Sequence, residues 1–413
     1  MRSINIDEEV DFNEKQKRNI AILEILRRFA PISRADISQR LGVNVVTVSH
    51  YINELVRSNL VLEKELDISE GGRRPGLLDL NSHAVFNIGV GLNLTNMVGL
   101  LVDLKGNIVS KTQIAPPGPS VIQVIEGLLG IIRETIRRSK DYTSSIKGIG
   151  VGIAGIVDKK TGSIRWPERV NRGHTNYVSI SSQLRERIEK EFGLPAIIEN
   201  DATAACFGEY WFGLEPDLKN ILYMFSGVGC GIMINGQIYT GSHGCAGEPS
   251  INNPKEDKLF NCSLGNPCFL KLWETDLGII DNMKSMLAKD KEGAEKFFKL
   301  TSSNIENVDL KSVFIAARVK DPLACSALNL AARRLGIRIA YLVNLFNPEA
   351  VVIGGGFEET GEEFLNKVSS TIKDWAFREA TEDLKIFYSQ LRENAVALGA
   401  ASLVTQKVFS GLL

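Results

Sequence analysis

The most constraining feature of this chain is the stretch PISRADISQRLGVNVVTVSHYINELVRSNLVL at residues 31–62. Ser33 suits a helix N-cap, and Asp36 three residues on can reach back to a free backbone N–H, as in a capping box. Ile37 and Leu41 give that helix an apolar side, and Gly42 can take the left-handed conformation that ends it. Asn44 then caps a second helix. In that helix Val48, Ile52 and Leu55 fall at i, i+4 and i+7, forming one buried stripe. Thr47, Ser49 and His50 lie outside the stripe. Short polar side chains at the start of an exposed helix match the donors and acceptors that base edges offer in the major groove. The same spacing would serve a helical hairpin in an ordinary core, so the flanking segments must decide between the two.

They favour DNA. Leu60–Glu65 reads as a short strand, Gly71-Gly72 as a turn and Leu77–Leu80 as a return strand. This is a β-hairpin wing with Arg73 and Arg74 near its tip, where arginines can enter a minor groove or clamp phosphates. The whole chain has a net charge of −1. From Lys15 to Leu62, however, there are eight Lys/Arg against three acids, a local excess of five positive charges. Phosphate neutralisation supplies much of the affinity for DNA, so such an excess is expected of a double-stranded-DNA-binding module.

The 413 residues are enough for two or three domains. Apolar and charged contents of 44% and 23% are those of an ordinary globular protein. No apolar run approaches the ~20 residues of a membrane-spanning helix, and the acidic start MRSINIDEEVDFNEK lacks the apolar core of a signal peptide. Six cysteines in a chain this long do not make a disulfide framework. A reducing cytoplasm is therefore the expected location, with no membrane partner. We expect an arm at 1–14 and a winged helix-turn-helix domain at 15–82, whose first helix spans about Glu14–Phe29 with Ile22, Ile25, Leu26 and Phe29 inward.

From Val85 the pattern changes to strands and helices in α/β order. VFNIGVGLN and MVGLLVDLKGNIV read as strands, with a turn at Lys105-Gly106-Asn107. Helices are expected at Val121–Arg138, Ile180–Phe192, Asp321–Phe346 and Ala395–Phe409. Buried strands are expected at IKGIGVGIAGIVD (146–158), AIIEND (196–201), NILYMFSGVGCGIMINGQIY (220–239) and Ala350–Ile353. Strand hairpins followed by helices occur twice, which suggests two α/β lobes around a cleft. The lobes would be roughly 83–200 with the helix 395–413, and 201–394.

Polar ends of central strands are the natural ligand site of such a fold. Asn200 and Asp201 sit where a strand runs out. An aspartate there can accept a sugar hydroxyl's hydrogen bond, or cap the helix that follows. Glu248 follows the small-residue loop GSHGCAGEPS at 241–250.

Taken together, ENDATAACFGE (199–209), SGVGCGIMINGQIYTGSHGCAGE (226–248), NPEAVVIGGGF (347–357) and LGAASL (398–403) resemble the ROK family of repressors and sugar kinases. The winged helix and GGRRPGLLDLN (71–81) point to its repressor branch, similar to xylose-operon and N-acetylglucosamine repressors. The resemblance implies an actin-like, two-lobed sugar-kinase domain over 83–413, binding sugar in the cleft. It also implies homodimers or higher homo-oligomers that bind operator DNA. Asp201 matches the catalytic base of the family's kinases, and Asn200 and Glu248 match sugar-binding positions.

The departures from the family pattern argue against catalysis. The Asp-x-Gly-Gly-Thr turn of ROK kinases is replaced here by Gly91-Leu92-Asn93-Leu94-Thr95. Side chains would occupy the space that close phosphate approach needs, and an acidic group that could help hold magnesium is gone. Gly227-Val228-Gly229 survives, though its glycines suit the hairpin corner. Phosphoryl transfer depends on positioning, so ATP and magnesium are not expected. In the family's zinc pattern the histidine position is Ile251, and only Cys262 and Cys268 remain of the cysteines. That is too few for a tetrahedral site, so no metal is expected. A further sugar-contacting glutamate is replaced by Leu270. The expected protein is a cytoplasmic DNA-binding regulator, a repressor of carbohydrate-utilisation genes. It would bind operator DNA through Asn44, Thr47, Ser49, His50, Arg73 and Arg74, and sense a sugar or sugar phosphate through Asn200, Asp201 and Glu248 without phosphorylating it. An active sugar kinase with an appended regulatory domain, and a DNA-binding protein that has lost its ligand, are the alternatives.

Overall fold

A computed structural model of the protein describes residues 13–64, 76–93, 96–117, 120–158, 161–171, 174–214, 217–226, 229–248 and 278–412. The N-terminal module contains α1 (Glu14–Phe29), β1 (Ile32–Ser33), α2 (Arg34–Leu41), α3 (Val45–Arg57), β2 (Val61–Lys64) and β3 (Leu77–Leu80). Its helix ends are set by the short polar residues that precede them. The Ser33 side chain accepts from the Asp36 N–H while Asp36 reaches back to the Ser33 N–H, and Asn44 Oδ1 accepts from Thr47 N at 2.8 Å. Each such cap contributes about 1 kcal/mol. Gly42 closes α2 at φ +66°, a conformation a side chain would strain. Val48, Ile52 and Leu55 are buried. The strands form a three-stranded antiparallel sheet in the order β1-β3-β2, with Ile32 opposite Leu78. A two-residue strand shows no alternation, so β1 is invisible to periodicity.

The rest of the chain forms two lobes. The first contains β4 (Phe86–Leu92), β5 (Met97–Asp103), β6 (Ile108–Ile114), α4 (Val121–Arg138), β7 (Ile146–Ile153), β8 (Ile156–Val157), β9 (Ser163–Asn171), β10 (His174–Gln183), α5 (Leu184–Phe192) and β11 (Ala196–Asn200). Next comes α6 (Asp201–Gly208), extended by a π-helical turn at Glu209–Gly213. The second lobe contains β12 (Ile221–Phe225), β13 (Gly229–Ile234), β14 (Gln237–Ile238), α7 (Ile279–Lys289), α8 (Lys291–Thr301), α9 (Leu310–Arg318), α10 (Pro322–Phe346), β15 (Ala350–Gly354), α11 (Glu362–Trp375), α12 (Arg378–Thr381) and β16 (Lys385–Tyr388). The chain then returns to the first lobe in α13 (Ala395–Phe409).

Each lobe is built on a five-stranded mixed sheet, in the order β11-β7-β4-β5-β6 in the first and β14-β13-β12-β15-β16 in the second. The first sheet buries one face against α4 and α5, and the second packs under α7 to α11. Between the sheets lie α6 and α13, the most apolar helices after the core strands. One expectation is corrected: residues 180–183 belong to β10, and α5 starts at Leu184. β10 pairs antiparallel with β9, Ile180 opposite Ile164. The sequence YVSIS alternates apolar and polar residues with β-branched members, which is a strand pattern and not a helical one.

The winged module does not float on a linker. Ile22, Leu23 and Leu26 of α1 are fully buried in one cluster with Trp211 and with Val408 and Phe409 at the end of α13. The module's own core, with Ile37, Val48 and Ile52, is continuous with this cluster, so the two domains share apolar packing.

Candidate functional site

On the N-terminal module, α3 turns its apolar stripe inward and leaves its first turn in water. Asn44 and His50 are exposed and Thr47 and Ser49 half-exposed. Asn44 serves as the cap of α3, which occupies its side-chain Oδ1. The Ser49 carbonyl accepts from Arg34, and His50 lies 3.4 Å from Glu54. The polar-residue rule missed Val46, which is 80% exposed, and Val45 beside it. Two valines left in water at the tip of an otherwise well-packed helix suit contact with thymine methyl groups. The signal was present in the sequence for Val46, which lies off the 48–52–55 stripe, while Val45 lies on it but at the exposed first turn.

Many of the basic side chains counted from Lys15 to Leu62 are engaged within the protein. Lys15 pairs with Glu54 at 2.7 Å, Arg34 with Glu63 at 2.7 Å, and Arg40 stacks on Phe29. Arg27 and Arg28 face the second domain: Arg27 lies over Trp211 and Phe212, and Arg28 over Tyr210. A count of charges along a helix does not say which side they occupy, and α1 turns its basic end toward aromatic rings. Arg73 and Arg74 lie outside the described residues.

In the cleft, β11 ends at Asn200 and α6 begins at Asp201, beside the end of β7. Asn200 holds the corner. Its Oδ1 accepts from Thr203 N at 3.1 Å and its Nδ2 donates to Gly155 O at 3.1 Å. Asp201 is buried, 8% exposed, with Oδ1 accepting from Ala202 N at 2.8 Å. Burial pushes its carboxyl up to about 7, the Ala202 N–H opposes this, and the nearby Glu248 carboxylate adds to the rise. Glu248 is half-buried after a loop stitched to β13, where Cys230 N donates to Gly247 O at 2.8 Å. The structure therefore brings Asn200, Asp201 and Glu248 together. Two carboxyl groups close enough to feel each other suit a polyhydroxyl ligand, which can both donate and accept.

The end of β4 is hemmed in by α13. A Cβ on Gly91 would stand 2.5 Å from Cβ of Val396 on α13, so an aspartate is not accommodated there without a shift. The Asn93 side chain is buried and donates to Asn96 Oδ1 and to Glu393 O, both at 2.9 Å. Leu94, Thr95, Gly227 and Val228 lie outside the described residues. At Gly229 an added Cβ would touch Ala202 at 3.0 Å, so this glycine serves the packing of β13 on α6. A cavity of about 270 Å³ lies beside this end of β4, lined by Asn93, Arg318, Gly356, Glu358, Arg392 and Glu393. There burial pushes the Glu358 carboxyl up to about 7, against the Gly356 N–H that it accepts. The zinc positions Ile251, Cys262 and Cys268, and Leu270, also lie outside the described residues. Among the described residues no group of three or more His, Cys, Asp or Glu is placed to hold a metal.

Fold and site define a class: a winged helix-turn-helix module joined to a two-lobed, sugar-kinase-like α/β domain. Residues 16–61 match winged helix-turn-helix DNA-binding domains, and residues 87–407 match the ROK family. The chain belongs to the ROK family. It is 29% identical over 401 residues to the xylose repressor of Caldicellulosiruptor bescii, covering 96% of this chain and 97% of that one. A ROK family transcriptional regulator described as a homologue of E. coli MLC has the same fold over 96% of this chain and 97% of its own, with a TM-score of 0.71 at 23% identity. A ROK glucokinase of Streptomyces griseus, solved with glucose and AMPPNP, covers 77% of this chain and 98% of its own at a TM-score of 0.64 and 26% identity. No helix among the described residues is long and apolar enough to cross a membrane.

Proposed function

We propose that this protein is a cytoplasmic transcriptional regulator, a repressor of carbohydrate-utilisation genes, whose cleft binds a sugar or sugar phosphate without phosphorylating it. The observation that carries this reading is the free first turn of α3, with Val46 in water above a fully buried stripe. A helix so presented is built to enter a major groove. Asn44, Thr47, Ser49, His50 and Val46 would face the bases, with Arg73 and Arg74 on the wing. A homodimer would set two such helices on two half-sites.

The cleft supports sensing. Asp201 and Glu248 offer hydrogen-bonding partners to sugar hydroxyls, and the xylose repressor relative makes D-xylose the first ligand to try. Gly91, hemmed by Val396, and the inward-turned Asn93 stand where the family's kinases have a glycine-lined turn for nucleotide phosphates, which argues against ATP and magnesium as cofactors. Neither is zinc proposed, since Ile251 offers no donor and Cys262 and Cys268 are only two. One observation favours a second reading as a kinase: Asp201 stands near pH 7, where a general base works best.

The test is selection of bound duplex from a random pool, followed by an ATP-turnover assay with a panel of pentoses and hexoses. Recovery of a defined duplex without sugar phosphorylation is expected. Sustained phosphorylation of any sugar would replace the first reading by the second, and failure to retain duplex would remove the regulator.

A further inference from the structure

We propose that the π-helical turn Glu209–Gly213 is a joint through which the sugar-type cleft sets the position of the DNA-reading module, with Arg27 as its positioning residue. This rests on the regulator reading above and supplies it with a route. At the cleft end, Asn200 caps α6 and Asp201 is its first residue. All eight residues of α6 are buried. The helix lies so close to α13 that a Cβ on Gly399 would overlap the Ala204 carbonyl. A rod packed this tightly moves as a unit, because dense interiors shift between discrete arrangements and do not deform smoothly.

At its far end α6 widens into the π turn, a local form that concentrates at functional sites. Glu209 is pinned there by the Ser389 hydroxyl and by Leu391 N, which donates at 2.9 Å. The turn presents three successive rings to α1. Arg28 lies 4.8 Å from the Tyr210 centroid and its Nη2 donates to Tyr210 O at 3.4 Å. Arg27 lies 5.1 Å from the Trp211 ring and 5.2 Å from Phe212. Its Nε and Nη2 are buried without a hydrogen-bond partner among the described residues. A guanidinium held by ring faces and not by a carboxylate fork depends on where those rings stand. A small displacement of the turn therefore loosens α1, and with it the module. Lys105 of the first lobe also pairs with Asp79 of the module, at 2.8 Å.

The test is hydrogen exchange of the α1 amides in the full-length protein, with α4 as the internal reference. Asn200→Ala, which uncaps the cleft end of α6, should speed α1 exchange by about threefold or more over α4. In a Trp211→Leu background the same substitution should add nothing further to α1. If Trp211→Leu does not fold, Arg27→Met cuts the contact from the other side. Unchanged α1 exchange in Asn200→Ala, or full additivity with Trp211→Leu, would overturn the joint. A second arm uses the selected duplex with D-xylose as probe: a sugar-induced change in affinity that persists undiminished in Arg27→Met overturns it as well. Exchange coupling in a protein that grips no duplex would instead sink the regulator reading and leave the joint standing.

Discussion

The guanidinium of Arg27 lies over the indole of Trp211, 5.1 Å from the ring centroid, and this contact joins α1 of the winged module to the turn that continues α6. Burial pushes the Arg27 guanidinium down to about 10, the neighbouring Arg28 adds to that, and Glu24 works against it. The residue remains a cation at neutral pH, out of water, against aromatic faces. The two domains are thus connected by packing and by a charge, and not only by the chain.

The cleft carboxyls set a pH dependence. Asp201, ordinarily near 3.8, and Glu358, ordinarily near 4.5, are both raised to about 7 in the folded protein. A carboxyl raised on folding contributes stability that is fully present below its unfolded value and lost as pH rises through its folded value. Thermal stability should therefore fall between about pH 4 and 7, by on the order of 1.4 kcal/mol for every pH unit that each carboxyl is raised and so by several kcal/mol in all. Asp201→Asn combined with Glu358→Gln should flatten the profile. Melting curves across that range check it, and a stability that rises with pH over the window would contradict it.

Restoring the family's aspartate should fail to restore a kinase. Gly91→Asp forces a side chain against Val396 and α13. The expected outcome is a loss of about 1–3 kcal/mol, as for overpacking of a dense interior, with no phosphate transfer gained. Denaturant unfolding and an ATP-turnover assay give both readouts.

The helix tip of α3 should read bases and not merely phosphates. Val46→Ala should weaken binding to the selected duplex by about 1 kcal/mol, with little change in affinity for unrelated duplex or in salt slope. Arg73→Ala with Arg74→Ala should do the converse, lowering affinity for all duplexes and reducing the salt slope. Fluorescence anisotropy over a salt series separates the two.

Much of this was legible in the sequence, for identifiable reasons. The N-caps Ser33 and Asn44 and the αL glycine Gly42 act through their immediate neighbours, and the structure places them as read. The long helices at 121–138 and 395–409 have strong periodicity or end signals, and their bounds agree. The trio Asn200, Asp201 and Glu248 was singled out through the resemblance of ENDATAACFGE and GSHGCAGE to ROK motifs, and its role as a sugar site is a proposal. Other features depended on partners far along the chain. β1 needs β3 to exist, and the start of β10 is set by pairing with β9. The inward turn of Arg27 and Arg28 depends on rings 180 residues away, so the charge count could not see it. Likewise Gly91 reads as a mere absence until Val396 is seen to fill the space.

The most direct test is the dissociation constant of the selected duplex, titrated with D-xylose and related sugars, for the full-length protein and for Asp201→Asn. The expected result is a shift of about tenfold or more in the unsubstituted protein, equal to about 1.4 kcal/mol of coupling between cleft and helix. Asp201→Asn should hold duplex as tightly without sugar and show no shift. Duplex affinity indifferent to every sugar in the unsubstituted protein, or duplex binding lost in Asp201→Asn before any sugar is added, would contradict it.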